Sequence, residues 1–205
     1  MCRRTLIPLL ALLFAGTVMA DEDCTCLWRG SFVDVQADTD LVVSATVIAS
    51  KGNSIDLAVD QHMRGRDERQ DVRVWLKTAD YCRPEVEQFP IGSQWVMALR
   101  RIRDTVPGGF NPGTPNFSYG RVDDYSLSSC GGYWLAQSGD VVTGNLVDAP
   151  RWAREPEMTP VLVELVADYV AGDVSREAIL EASKEDPALR DLMLDTKAFL
   201  RGDED

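Results

Sequence analysis

The chain has 205 residues, 45% of them hydrophobic and 26% charged, with 33 acidic against 21 basic side chains and a formal net charge of −12. That length suits one domain with an appendage. So acidic a surface repels nucleic acid and anionic lipid, and neither is expected as a partner; it favours solubility and leaves room for a basic partner.

The first twenty residues, "MCRRTLIPLLALLFAGTVMA", combine Arg3 and Arg4, an apolar run from Leu6 to Phe14 and small residues ending at Ala20. The run is too short to span a bilayer and is followed by acidic residues, so it reads as a secretory signal cleaved after Ala20. Without Arg3 and Arg4 the balance is 19 basic against 33 acidic, a net charge of −14. A lipid anchor on Cys24 is not expected, because Glu22 and Asp23 stand where lipoprotein processing needs small or apolar residues. The expected location is exported, periplasmic or secreted, with no membrane span.

Cys24, Cys26, Cys82 and Cys130 remain after the signal. An even number in an exported chain reads as two disulfides. A Cys24–Cys26 ring would be strained. That leaves 24–82 with 26–130, or 24–130 with 26–82. Either pairing ties the N-terminus to two distant points, and closing loops of such length is worth about 4 kcal/mol each in the chain-entropy picture. Four thiols match a Cys-only zinc site in number, but an oxidising compartment pairs them first, so no metal and no cofactor is expected. A thioredoxin-like role needs CxxC and a lowered thiol pKa. Here the motif is CxC, and Asp21, Glu22 and Asp23 would raise that pKa.

A short helix is predicted over 31–36, with Ser31 as its cap. Residues 41–146 read mostly as strands: "LVVSATVIAS", "SIDLAVDQHM" with Ile55, Leu57 and Val59 alternating, "VRVWLK", "WVMALRRI", then "GGYWLAQ" and "DVVTGNL" across a turn at Ser138, Gly139 and Asp140. Strands this close, without long helices between them, suggest a small barrel or sandwich. Residues 105–120, "TVPGGFNPGTPNFSYG", hold three prolines and four glycines and exclude a regular element. This stretch reads as a surface loop, or as a binding loop with Phe110, Phe117 and Tyr119 as contacts. Residues 151–205 form an acidic helical tail with 7 basic and 14 acidic side chains. Its first helix is predicted with Thr159 as N-cap and Pro160 at the first helical position, an apolar face of Val161, Leu162, Leu165, Val166, Tyr169 and Val170, and Gly172 as its end. Ser175 caps a second helix, and a third starts at Asp186-Pro187. The domain plan is 1–20 signal, 21–150 barrel and 151–205 tail.

Catalytic signals are sparse. The single histidine, His62, alternates out of phase with Leu57 and Val59 and is expected to face solvent; with no second histidine, a His-based zinc site is excluded. There is no GxSxG and no phosphate-cradling glycine loop. "SCGGYW" has a nucleophile's look at Cys130 but no identifiable base beside it. A carboxylate-dependent hydrolase stays open as an alternative, although nothing singles out a pair.

The order of motifs is informative as a whole: "CTC" (24–26), "ADTDLVVSATVIAS" (37–50), "VDQHMRGRDERQDVRVWLKTADYC" (59–82), "IGSQWVMALRR" (91–101) and "YSLSSCGGYW" (125–134). This resembles the netrin-like module, whose fold is shared with the tissue inhibitors of metalloproteinases, over residues 24–147. The resemblance implies a mainly β fold: a five-stranded OB-type barrel with the N-terminus clamped across it, and the helical segment appended. It implies pairing of Cys24 with Cys82 and of Cys26 with Cys130. It also implies a non-enzymatic module that binds a protein or envelope component, with Thr25, Leu27 and Trp28 of the clamp as candidate contacts. In the inhibitors of this family the first cysteine begins the mature chain, and its α-amine and carbonyl chelate the protease zinc. Here Asp21 to Asp23 precede Cys24, so metalloprotease inhibition is kept as an alternative.

Overall fold

In the computed structural model, residues 24–78, 81–106, 109, 113, 117–148, 158 and 160–184 are described. The signal segment, the predicted third helix, Thr159, Phe110 and the expected boundary between barrel and tail at 150/151 lie outside them.

The long β-branched run at 41–50 becomes β1 (Leu41–Lys51), which turns through Gly52 (φ 60°) into β2 (Ser54–Arg64). The two pair antiparallel with three register shifts, at Val42/Val43, Ser44/Ala45 and Val47/Ala49. Such shifts bend and coil a ribbon, and that curvature lets a short sheet close. β2 pairs with β3 (Asp71–Trp75), and the other edge of β1 pairs with β4 (Gln94–Arg101). Closure falls to β5, only Tyr125–Ser126, which runs parallel to β3 at Val74 and Trp75 and antiparallel to β4 at Arg100 and Arg101. The result is a closed five-stranded barrel of the OB type, ordered β1-β2-β3-β5-β4 with β4 returning to β1.

The edge of β4 that holds β5 at one end holds β6 (Trp134–Ser138) at the other. β6 turns into β7 (Val141–Gly144) through Gly139 and Asp140. Gly139 has φ 59°, the positive value that a type II′ hairpin turn demands of its first residue.

Apolar side chains from every barrel strand fill the centre. Val43, Ile55, Leu57, Val72, Val74, Val96 and Leu99 are fully buried. Ahead of the barrel, α1 (Phe32–Val35) adds Phe32, Val33 and Val35 to the same core. The Asp34 carboxylate accepts the Ser31 N–H at 2.8 Å, so the expected cap residue is held by its helix.

Beyond residue 160 the sequence expectation needs correcting. The helix does not begin at Pro160. Val161 and Leu162 form β8, pairing with Val142 and Val141, and α2 (Val163–Ala171) follows with Leu162 as N-cap. The open edge of β7 offers unpaired backbone groups that two extended residues satisfy, and this outweighs one more helical turn. Leu162, expected on the buried face, is therefore exposed. The end of the helix follows expectation. Gly172 is left-handed (φ 91°), its N–H donates to the Tyr169 carbonyl at 3.1 Å, and Asp173 N–H donates to the Asp168 carbonyl at 2.8 Å. Ser175 caps α3 (Arg176–Ser183) by accepting from Ala178 N. Val161, Val166, Val170 and Ile179 join the core cluster of the barrel strands, and the Tyr169 hydroxyl donates to the Val33 carbonyl at 3.1 Å. Among the described residues, no helix is long and apolar enough to cross a membrane.

Since Ile179 is fully buried in that shared core, Ile179→Ala is expected to lower the stability of the whole protein by about 3 kcal/mol. Urea unfolding followed by near- and far-ultraviolet dichroism checks this. A loss confined to the helical signal would show that α3 unfolds apart from the barrel.

Candidate functional site

Both disulfides join the segment ahead of α1 to connections between strands, in the pairing 24–82 and 26–130, with Cα–Cα separations of 5.2 and 5.8 Å. Among the described residues the sulfurs of Cys24, Cys26 and Cys82 cluster within 4.8 Å of one another, and the disulfide bonds take up all three. Disulfides of this kind persist in oxidising, non-cytoplasmic surroundings.

Backbone hydrogen bonds continue the attachment. Arg29 N–H donates to the Cys130 carbonyl (2.8 Å), Gly132 N–H to the Gly30 carbonyl (2.9 Å), Phe32 N–H to the Asn145 carbonyl (2.7 Å) and Val33 N–H to the Leu146 carbonyl (3.1 Å). So close an approach explains the glycines of "SCGGYW". A Cβ on Gly132 would stand 2.6 Å from the Asn145 carbonyl oxygen and 2.8 Å from Phe32 N. The motif that resembled a nucleophile is a place where two backbones touch.

The clamp displays its side chains unequally. Thr25 is exposed, Trp28 is half-buried and Leu27 is 89% exposed. Further contacts expected from the Pro/Gly loop are divided. Phe117 is exposed, whereas the Tyr119 ring packs on Tyr81 with centroids 5.4 Å apart, one residue from the bridged Cys82. The loop's exit is fixed from below by buried Asn53, which donates to the Ser118 carbonyl (2.8 Å) and accepts from Ser118 N–H (2.9 Å). Thr25, Leu27, Trp28 and Tyr119 are thus tied to one side of the barrel through Cys24–Cys82 and its neighbours. His62 is exposed, as its phase implied.

Beside the clamp lies a cleft of about 360 Å³ that the sequence did not announce. Arg29 comes from the clamp, Arg83 from the segment after β3, Arg100 from β4, and Ser128 and Tyr133 from the stretch leading to β6. These residues are far apart in the chain and share no motif, so only barrel closure brings them together. Arg83 is half-buried. Its guanidinium lies 4.5 Å from the centroid of the Tyr81 ring and donates to the Tyr119 carbonyl at 2.8 Å. Burial pulls its pKa below the ordinary arginine value. Arg29 pairs with Asp38 at 3.0 Å.

A second charged cluster gathers at Arg101, the last residue of β4 and the neighbour of Arg100. The Asp67 Oδ2 accepts from the Tyr125 hydroxyl (2.7 Å), Arg69 Nη2 (2.9 Å) and Arg101 Nη2 (3.1 Å), and its Oδ1 accepts from Arg69 N–H (2.9 Å) and Nε (3.0 Å). The Arg69 bonds outweigh burial and hold this carboxyl far below the usual range, while burial, with Asp67 beside it, pushes the Tyr125 hydroxyl up. A carboxylate so saturated ties the 65–70 turn to β4 and β5 and has no proton to give.

Compared with protein-family models, curated proteins and solved structures, the chain matches none.

Gly132→Ala is expected to cost about 1–3 kcal/mol by forcing the clamp off the barrel. Denaturant midpoints of oxidised protein measure it, and a loss below about 0.5 kcal/mol would mean the two backbones have room to spare.

Proposed function

We propose that this chain is an exported, non-enzymatic, netrin-like binding module that meets a protein or envelope partner through the ridge Thr25–Trp28. One observation carries the reading. Leu27 is 89% exposed, yet it stands between disulfide-bonded Cys26 and half-buried Trp28. A leucine in water contributes nothing to the core, and here its backbone is already fixed. Binding through it therefore costs little ordering entropy. The strand order and the succession of motifs support the same family reading, and the two disulfides support export.

The test is site-specific photocrosslinking in the cells that export the protein. A photoreactive side chain replaces Leu27 in one variant and Ile48 of β1, 43% exposed, in another. A discrete adduct is expected from position 27 and not from position 48. Equal labelling from both, or labelling from 48 alone, overturns the assignment of the ridge.

The tissue-inhibitor reading would use the same ridge, with the Cys24 nitrogen on a protease zinc. In a chain beginning at Asp21 that nitrogen is an amide whose lone pair is delocalised into the Asp23 carbonyl, and it cannot coordinate without losing its proton. The form starting at Asp21 is expected to leave zinc endopeptidases uninhibited. Inhibition constants for that form and for a form trimmed to start at Cys24 check this. Tight inhibition by the longer form would restore the inhibitor reading.

A further inference from the structure

We propose that the cleft between the clamp and β4 is a carboxylate site that takes an acidic side chain of the partner; this rests on the ridge reading above. The cleft gathers three guanidinium groups, Arg29, Arg83 and Arg100, on a chain with 33 acidic and 21 basic side chains, and no carboxylate among the described residues lines it. Ser128 and Tyr133 line it with the arginines, as do the apolar Leu127 and Ala98.

Arg83 is the centre of the argument. A half-buried cation is normally held by an anion, because burial without one sacrifices hydration. Here it has the Tyr81 face and a neutral carbonyl, Tyr119 O, at 2.8 Å. Those contacts use one Nη1 donor and one side of the plane, and no described carboxylate pairs with it. A guanidinium offers five donors in a planar fork that matches a carboxylate with two parallel bonds. Arg29 and Arg100 flank the cleft, and Asp38 engages both, Arg29 through its carboxylate at 3.0 Å and Arg100 through its backbone carbonyl at 3.4 Å. An entering carboxylate would compete with Asp38, whose pair with Arg29 is exposed and therefore weak.

The volume, about 360 Å³, suits one side chain and its flanking backbone rather than a large cofactor. Cys82 lines the cleft and is bonded to Cys24, so an acidic residue seated there would lie against the segment that presents Leu27. The partner would then offer an apolar group to the ridge and a carboxylate to the cleft. The charge lining the cleft is the reverse of the charge on the chain as a whole.

The experiment uses the oxidised full mature chain labelled with nitrogen-15, observing the arginine Nε–H resonances during titration with glutarate, inorganic phosphate or chloride at matched ionic strength. Saturable shifts at Arg83 and Arg29 with glutarate are expected, with phosphate weaker and chloride without effect. Arg83→Gln is expected to weaken glutarate binding at least tenfold. Should that variant misfold, Arg100→Gln, at an exposed position, is expected to weaken it several-fold. Arg73→Gln, paired with Asp56 outside the cleft, should leave it unchanged. Phosphate binding as tightly as glutarate, or uniform shifts at all arginines, overturns the proposal. The crosslink at position 27 separates the two readings. Glutarate binding without that crosslink keeps the carboxylate site and removes the ridge reading. The crosslink surviving unchanged in Arg83→Gln, without glutarate binding to the parent chain, keeps the ridge and removes the carboxylate site.

Discussion

Two sulfur–sulfur bonds, Cys24–Cys82 and Cys26–Cys130, hold residues 24–26 against two separate parts of the chain. They close loops spanning sequence separations of 58 and 104 residues, and each such closure removes about 4 to 5 kcal/mol of freedom from the unfolded chain in the entropy picture. The placement of the backbone after Cys26 depends on them. Residues 29–33 can exchange hydrogen bonds with 130–132 and 145–146 only because they are already lying there. The glycines at 131 and 132 make that approach sterically possible, and α1 then drops Phe32 into the core. Covalent, polar and apolar terms point to one placement of the segment, which fixes the ridge as a surface.

The barrel beneath closes through very little strand. β5 contributes two residues, so most of what holds that seam is side chain. Asp67, Arg69, Arg101 and Tyr125 form one hydrogen-bonded cluster there, with the Trp75 indole donating to Asp124 at 2.9 Å beside it. At the same end of β2, Arg64 reaches Thr39 Oγ1 at 3.0 Å and also bonds Gln36. Gly65, with φ 73°, passes so close to the Asp40 carbonyl that a side chain would not fit. Polar ties around the 65–70 turn thus reinforce a seam that has little strand pairing of its own.

Charge divides the molecule. The overall excess of carboxylates sets solubility and repels anions at long range, but within a Debye length of about 8–10 Å local groups dominate. In the cleft those groups are guanidinium ions from three separated segments. An acidic protein can therefore receive an acidic side chain, provided the partner's remaining surface does not oppose the approach.

Sequence alone determined the parts governed by local chemistry. The alternating runs at 41–64 and 94–101 specified strands because β-branched residues pack on a pleated surface. Gly139 and Gly172 marked turns because only glycine takes their dihedrals cheaply. A mainly β fold with a helical appendage and the solvent position of His62 were legible in the same way, whereas the choice of a barrel over a sandwich and the disulfide pairing came only as what the resemblance implied. Tertiary structure decided what depends on distant partners. Val161 and Leu162 carry helical spacing, yet they pair as β8 because the β7 edge is open beside them. Tyr125 and Ser126 are too few to show any period, and only pairing with β3 on one side and β4 on the other makes them a strand. Arg29, Arg83 and Arg100 share no motif because a cleft is a property of closure. Their charges meet only after β4 has found both of its neighbours, a long-range event that no local pattern encodes.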